Sequence, residues 1–194
     1  MSAPFVFESP IAAVLVFGPL VGSVLLENRR FHGDVWRRGR DRTYRRLQAW
    51  QIAGLVLGVL AAKNVSHGAL GGGEWLWPVL GCLVGCAGVA LRLWAIHTLG
   101  PLFTRHLQVG ADHSLVIEGP YRLLRHPSYT GAILMFAGIG LGLGNALSVA
   151  ACLALPAIGY IERISREELL LQQKFGEPYI EYAGQTKRLV PGVW

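Results

Sequence analysis

The chain has 194 residues, 52% of them hydrophobic and 15% charged, with a formal net charge of +6 at pH 7. Soluble domains carry about 25% charged residues, so this balance argues against an ordinary cytosolic enzyme, and the same apolar content excludes intrinsic disorder. The basic excess comes from 15 Arg against 3 Lys, and in so apolar a chain it points to the positive-inside pattern of a membrane protein rather than to nucleic acid.

The first uncharged run, Ser9–Leu26, is 18 residues long, about enough to cross a ~30 Å hydrocarbon core at ~1.5 Å per residue. Only Glu8 precedes it as a charge, so the basic n-region of a cleavable signal peptide is not evident. Eight arginines follow: Arg29, Arg30, Arg37, Arg38, Arg40, Arg42, Arg45 and Arg46. Such a loop is expected to be cytoplasmic, which puts the N-terminus outside; attraction to anionic lipid can coexist with that role. The second run, Leu47–Ala62, has 16 residues, with Lys63 placed to snorkel at its end. The third runs from Trp75 to Leu91; Arg92 interrupts it and apolar character resumes to Thr104. Trp75, Trp77 and Trp94 stand near its ends, as an interfacial belt requires. The three cysteines, Cys82, Cys86 and Cys152, form neither a disulfide framework nor a four-ligand zinc set and read as small packing residues.

Pro127–Ile161 is 35 residues without a charged side chain. As one helix it would be roughly 52 Å long, too long for a single crossing at ordinary tilt. Gly142, Gly144 and Asn145 supply a break, so the run predicts a helical hairpin over 128–143 and 146–164, the fourth and fifth spans. The glycines of 138–144 alternate inside this run and lack the strand context and spacing of a dinucleotide loop. The tail, 165–194, reads as an amphipathic cytosolic cap, its first helix stopped by Gly176 and Pro178. The expected fold is all-α: an integral membrane bundle of five transmembrane helices with a C-terminal helical cap and no Rossmann domain. Residues 1–74 form the first two spans and the Arg-rich loop. Residues 75–194 form a core of the third span, a loop over 98–127, the hairpin 128–164 and the cap 165–194.

Residues able to do chemistry fall in two stretches, His113–Tyr129 and Glu162–Glu168, which flank the hairpin and are returned by it to one membrane face. Pro127 suits the first turn of a helix, and Arg125 and His126 just before it stand where an anion is favoured. Arg163 and Glu167 are four apart on one helix face, with Arg163 at the membrane boundary, where an uncompensated charge is costly. Each feature alone has an ordinary reading. His126 is a capping histidine, Arg163 and Glu167 a surface pair, and Arg122 and Arg125 are topology signals. Tyr129, Tyr179 and Tyr182 are then interface anchors. Their coincidence on one face favours a site. His106 and His113 lack a carboxylate at ligand spacing, so no metal site is expected.

The segments His113-Ser-Leu-Val, Gly119-Pro-Tyr121-Arg and Arg125-His-Pro-Ser-Tyr129-Thr-Gly131 carry a family resemblance. Arg163, Glu167-Glu168, Phe175-Gly176-Glu-Pro-Tyr179, Tyr182 and Arg188-Leu-Val-Pro191 complete it. Together they resemble the isoprenylcysteine carboxyl methyltransferase family, part of a wider group with phospholipid N-methyltransferases, over about residues 80–194. The resemblance implies a membrane-embedded methyltransferase that uses S-adenosyl-L-methionine (SAM) and releases S-adenosyl-L-homocysteine (SAH). Its cofactor pocket would face the cytosol and its lipophilic substrate would enter from the bilayer. It implies that His113, Ser114, Leu115, Val116 and Tyr121 line the cofactor pocket. His126, Pro127, Ser128 and Tyr129 would hold the adenosine and methionine parts, and Glu167 would also contact the cofactor. Arg163 would be the catalytic and substrate-binding residue, pairing with the acceptor carboxylate. His106 stands where eukaryotic members carry a cofactor-contacting glutamine.

The short chain resembles five-span prokaryotic members, implying a multi-pass protein of a prokaryotic inner or plasma membrane with its C-terminus and active site in the cytoplasm. The expected partners are the lipophilic substrate and membrane lipids, with no nucleic acid and no obligate protein partner. A carboxylate acceptor is ionised at neutral pH and needs no base; an amine must be neutral to attack and sits poorly opposite Arg163. A phospholipid amine N-methyltransferase remains an alternative. So does a membrane NAD(P)H-dependent sterol-type reductase, which shares an Arg-His-Pro-x-Tyr-x-Gly segment and an ending like Pro191-Gly-Val-Trp194 but usually shows Asn where Ser128 stands. A non-catalytic scaffold is the third.

Overall fold

The computed structural model of the protein describes residues 4–30, 42–103, 114–192 and 194. The segments holding Arg37, Arg38, Arg40, His106 and His113 lie outside the described residues, as does the side chain of Arg30. Among the described residues the chain is helical: α1 (Phe5–Glu8), α2 (Pro10–Arg30), α3 (Arg42–Asn64), α4 (Leu76–Leu99), α5 (Pro127–Gly142), α6 (Ala146–Phe175) and α7 (Glu177–Gln185). Two isolated bridges, Ala69 with Asn145 and Leu124 with Lys187, are the β pairing among these residues.

Among the described residues, three helical stretches are long and apolar enough to cross a membrane: Pro10–Arg29, Leu76–Leu102 and Ala146–Phe175. α3 and α5 are the other two of the five predicted spans; α5 has 16 residues, and α3 opens on Arg42, Arg45 and Arg46. Large apolar side chains project outward along the spans, among them Ile11, Val14, Ile52, Leu57 and Leu83, each at least 51% exposed. In water such a surface would be an aggregation liability; in a bilayer it faces lipid. The chain therefore fits a multi-pass integral membrane protein.

Lipid offers no hydrophobic drive for helices to associate, so close backbone approach has to supply the packing. α4 lies against α5 and α3 against α6, and both contacts run over small residues. A Cβ at Gly88 of α4 would meet the Gly131 carbonyl of α5 at 2.5 Å. A Cβ at Gly58 of α3 would meet the Cys152 sulfur of α6 at 2.5 Å, beside the Ser148 hydroxyl that donates to the Gly58 carbonyl at 2.7 Å.

The hairpin breaks at Leu143-Gly144-Asn145. Gly144 sits at φ 65°, which suits glycine. Asn145 caps α6 by accepting from the Leu147 and Ser148 amides at 2.9 and 3.3 Å, and it donates to the Val65 carbonyl at 2.7 Å. α6 then continues past the expected boundary at residue 164 to Phe175. Hydropathy changes at Glu162, but residues 162–175 contain no helix breaker, and Gly176 at φ 62° is the first position that stops the helix. The start of the tail is thus the continuation of α6, and the second tail helix is α7.

Candidate functional site

The site forms where the start of α5, the far end of α6 and the C-terminal segment meet. His126 occupies the N-cap of α5 and Pro127 its first turn. The C-terminal segment fixes this entry: the Arg125 and His126 amides donate to the Lys187 and Arg188 carbonyls at 2.7 and 3.1 Å, and the Thr130 hydroxyl to the Leu189 carbonyl at 2.8 Å.

Two adjacent carboxylates of α6 then divide the work. Glu168 is a clamp. It accepts from Arg125 Nε at 2.8 Å and Arg188 Nε at 2.9 Å, with His126 Nε2 at 3.4 Å. Arg125 Nη1 also donates to the Ala183 and Thr186 carbonyls. The sequence placed Arg125 at a helix start suited to an anion; its guanidinium is instead held by Glu168 and the backbone at the end of α7. Glu167 faces the cavity. It accepts from the Tyr129 hydroxyl at 2.6 Å and lies 3.8 Å from His126 Nδ1. The Tyr129 oxygen in turn accepts from Arg163 Nε at 2.9 Å. A phenol thus bridges the guanidinium and the carboxylate that the sequence places four residues apart on one helix. Arg163 is 3% exposed, with Thr43 Oγ1 3.4 Å from Nη1 and the Tyr44 ring 5.9 Å from its guanidinium carbon. Tyr129 is packed between His126, nearly parallel at 5.5 Å between centroids, and Tyr160 at 4.9 Å.

These residues border a cavity of about 610 Å³. Ser114, Leu115, Val116, Tyr121, His126, Ser128, Tyr129, Arg163 and Glu167 all line it. Pro127 does not line it; it is fully buried and shapes the helix start. His113 lies outside the described residues. Leu170, Phe175, Tyr179 and Tyr182 line the cavity beside α7, and Val24 of α2, Leu47 of α3 and Met135 and Phe136 of α5 line it between the helices. Burial raises the Tyr182 phenol to about 12 and moves Tyr121 and Tyr179 upward as well, so these hydroxyls keep their protons at neutral pH.

The sequence did not single out Glu27 and Arg92 as site residues. Arg92 Nε and Nη2 donate to Glu27 Oε1 and Oε2 at 2.5 and 2.9 Å, and both residues line the cavity. Each was visible as an isolated charge beside an apolar run, which is a pointer to function in a membrane. Nothing in the sequence paired positions 65 apart.

Residues 79–173 match the isoprenylcysteine carboxyl methyltransferase (ICMT) family. Protein-S-isoprenylcysteine O-methyltransferase B of Arabidopsis thaliana is 36% identical over 122 residues, 62% of each chain. The cobalt-zinc-cadmium resistance protein CzcN of Cupriavidus metallidurans is 34% identical over 151 residues, 77% of this chain and 65% of that one. The structure of the eukaryotic intramembrane Ras methyltransferase ICMT superposes with a TM-score of 0.58 at 27% identity, over 75% of this chain and 52% of that one. The chain thus spans less than two thirds of the length of the curated relatives it matches. Residues 79–173, which hold α5, Arg163 and Glu167, carry the likeness to the ICMT family.

Proposed function

We propose that the protein is a SAM-dependent methyltransferase of the membrane that esterifies the carboxylate of a lipophilic, isoprenylcysteine-like acceptor. The observation that carries this reading is the meeting of two chemistries in one cavity. Arg163, Tyr129, Glu167 and His126 form a charged cluster, and it opens on a slot between α2, α3 and α5 walled by Val24, Leu47, Met135 and Phe136.

The donor set fits SAM. The volume lies within the about 300–1,000 Å³ of ligand pockets. The Glu167 carboxylate suits a cationic ligand, and Tyr121, Tyr179 and Tyr182 suit an aromatic base. His113, Ser114, Leu115, Val116, Tyr121, His126, Ser128, Tyr129 and Glu167 are the proposed cofactor-binding residues, with Pro127 shaping the helix start. When bound, SAM would supply a sulfonium methyl group for transfer to a carboxylate oxygen, with the neutral thioether as leaving group and a methyl ester as product.

The chain's residues act in this reading by orientation. Arg163 presents a planar fork that matches a carboxylate. Tyr129 holds Arg163 and Glu167 on one oxygen, so the acceptor's anchor and the counter-charge for the donor keep a set separation. An acceptor carboxylate with a pKa near ~4 is ionised without a base, so acceleration comes from positioning and fixed charges. The apolar walls take the lipid chain and exclude water.

The same reading makes α2 to α6 five spans and makes α7 with the end of α6 a cytosolic cap. The arginines between α2 and α3 support a cytosolic site with the N-terminus outside. Residues 1–74 then serve as the N-terminal pair and 75–194 as the catalytic core. The test is methyl transfer from radiolabelled SAM to a farnesylcysteine acceptor in membranes holding the wild type, His126→Ala or Arg163→Ala. Base-labile label in the wild type alone is expected. Base-stable label in phospholipid would assign an amine acceptor instead, and no label would refute the methyltransferase.

A further inference from the structure

We propose that the Tyr179 hydroxyl is a ligand-binding donor that reads the nucleoside half of the methyl donor. The inference rests on the methyltransferase reading above.

Tyr179 stands in the first turn of α7, is 4% exposed and lines the cavity. Its hydroxyl is buried without a hydrogen-bond partner among the described residues. Buried polar groups are nearly always satisfied, and an exception calls for a reason. Three other phenols of the cavity show the contrast. The Tyr182 hydroxyl donates to the Tyr121 carbonyl at 2.8 Å, Tyr160 accepts from Gln51 at 2.8 Å, and Tyr129 joins Arg163 to Glu167.

Slack in α7 does not explain the orphan, because the helix is pinned around it. The Tyr179 amide donates to the Gly176 carbonyl at 3.1 Å, Tyr182 is bonded to Tyr121, and Arg125 holds the Ala183 carbonyl at 2.7 Å. The protein thus fixes a neutral O–H donor at the cavity wall.

The surroundings select what it meets. The charged groups acting on Tyr179 are Glu168, Glu167, Arg125 and Arg188, two carboxylates against two guanidiniums, so no net charge there calls for an ionic ligand. Tyr182 lies 6.2 Å away ring to ring, and Phe175 and Leu102 border the same end of the cavity. Flat apolar faces with one neutral donor suit a purine, whose ring nitrogens accept hydrogen bonds.

The experiment is calorimetric titration of the purified full chain with SAH and with 5′-methylthioadenosine, which keeps the nucleoside and lacks the amino acid. Tyr179→Phe should weaken both ligands by the same factor, about 5- to 10-fold. The Tm of the free variant should be unchanged or higher, because the substitution removes a hydroxyl that the protein alone leaves unsatisfied. Unchanged SAH affinity in the variant overturns the proposal. So does a loss confined to SAH, which would put the contact on the amino-acid half, and so does a fall in Tm, which would make the hydroxyl structural. Wild-type protein that binds neither ligand refutes the methyltransferase reading itself.

Discussion

Glu27 and Arg92 have side chains only 10% and 14% exposed, and their two bonds join α2 to α4. The Ser23 hydroxyl donates to Glu27 Oε1 at 3.0 Å, and Arg92 Nη1 donates to the Ser128 carbonyl at 3.1 Å, so the pair also braces the first turn of α5. Replacing Glu27 by Ala leaves Arg92 with the Ser128 carbonyl as its acceptor among the described residues. Breaking a buried pair from one side costs about 3–5 kcal/mol. At roughly 2–4 °C per kcal/mol for a chain of this size, either Glu27→Ala or Arg92→Ala should lower Tm by about 6–20 °C. The double variant removes both charges of the pair and should be less destabilised than the sum of the singles, with a coupling of about 2–3 kcal/mol. The assay is thermal unfolding of all four proteins in one detergent at one concentration. Additive single effects would refute the claim that the two charges act as a unit.

The two neighbouring carboxylates should separate by role: Glu167→Gln should weaken SAH binding more than it lowers Tm, and Glu168→Gln the reverse, because Glu168 holds Arg125 and Arg188. Equal effects of both variants on both readouts would contradict the division. Gly88→Ala puts a methyl 2.5 Å from the Gly131 carbonyl and 2.9 Å from the Met135 amide, whereas Gly71→Ala meets nothing within 4 Å. The first should cost about 1–3 kcal/mol and the second almost nothing by thermal unfolding. Asn145→Ala removes the α6 cap and the link to Val65 and should cost about 1–3 kcal/mol, while Asn145→Ser, which retains a capping oxygen, should recover about half in the same assay.

Punctuation and composition are local, and they carried most of the architecture. Pro127 begins α5, Asn145 caps α6 and Gly176 ends it. These positions announce themselves because a missing amide, a capping oxygen and a left-handed glycine each suit one place on a helix. Two local signals conflict at one point of the chain. At Glu162 hydropathy says the membrane ends, while helix propensity says the helix continues; backbone hydrogen bonding is indifferent to which solvent surrounds it, so propensity wins and α6 carries Glu167 and Glu168 out to the cavity mouth.

The site was legible as a set of residues and not as a set of contacts. Arg163 and Glu167 share a helix face, and the spacing alone suggests a direct pair. The α5–α6 hairpin instead brings the Tyr129 hydroxyl between them, 2.9 Å from one and 2.6 Å from the other. That interposition depends on the register of two helices joined by a three-residue turn, and no single-helix periodicity contains it. The same holds for Arg125, whose place before α5 advertises an anion site until the C-terminal segment folds back and Glu168 takes the guanidinium. Motif residues adjacent in sequence therefore part company in space. His126, Tyr129 and Glu167 line the cavity, while Glu168 and Arg188 stand behind it; Arg125 borders the cavity with its guanidinium held by Glu168, and together they lock the geometry that makes the first group useful.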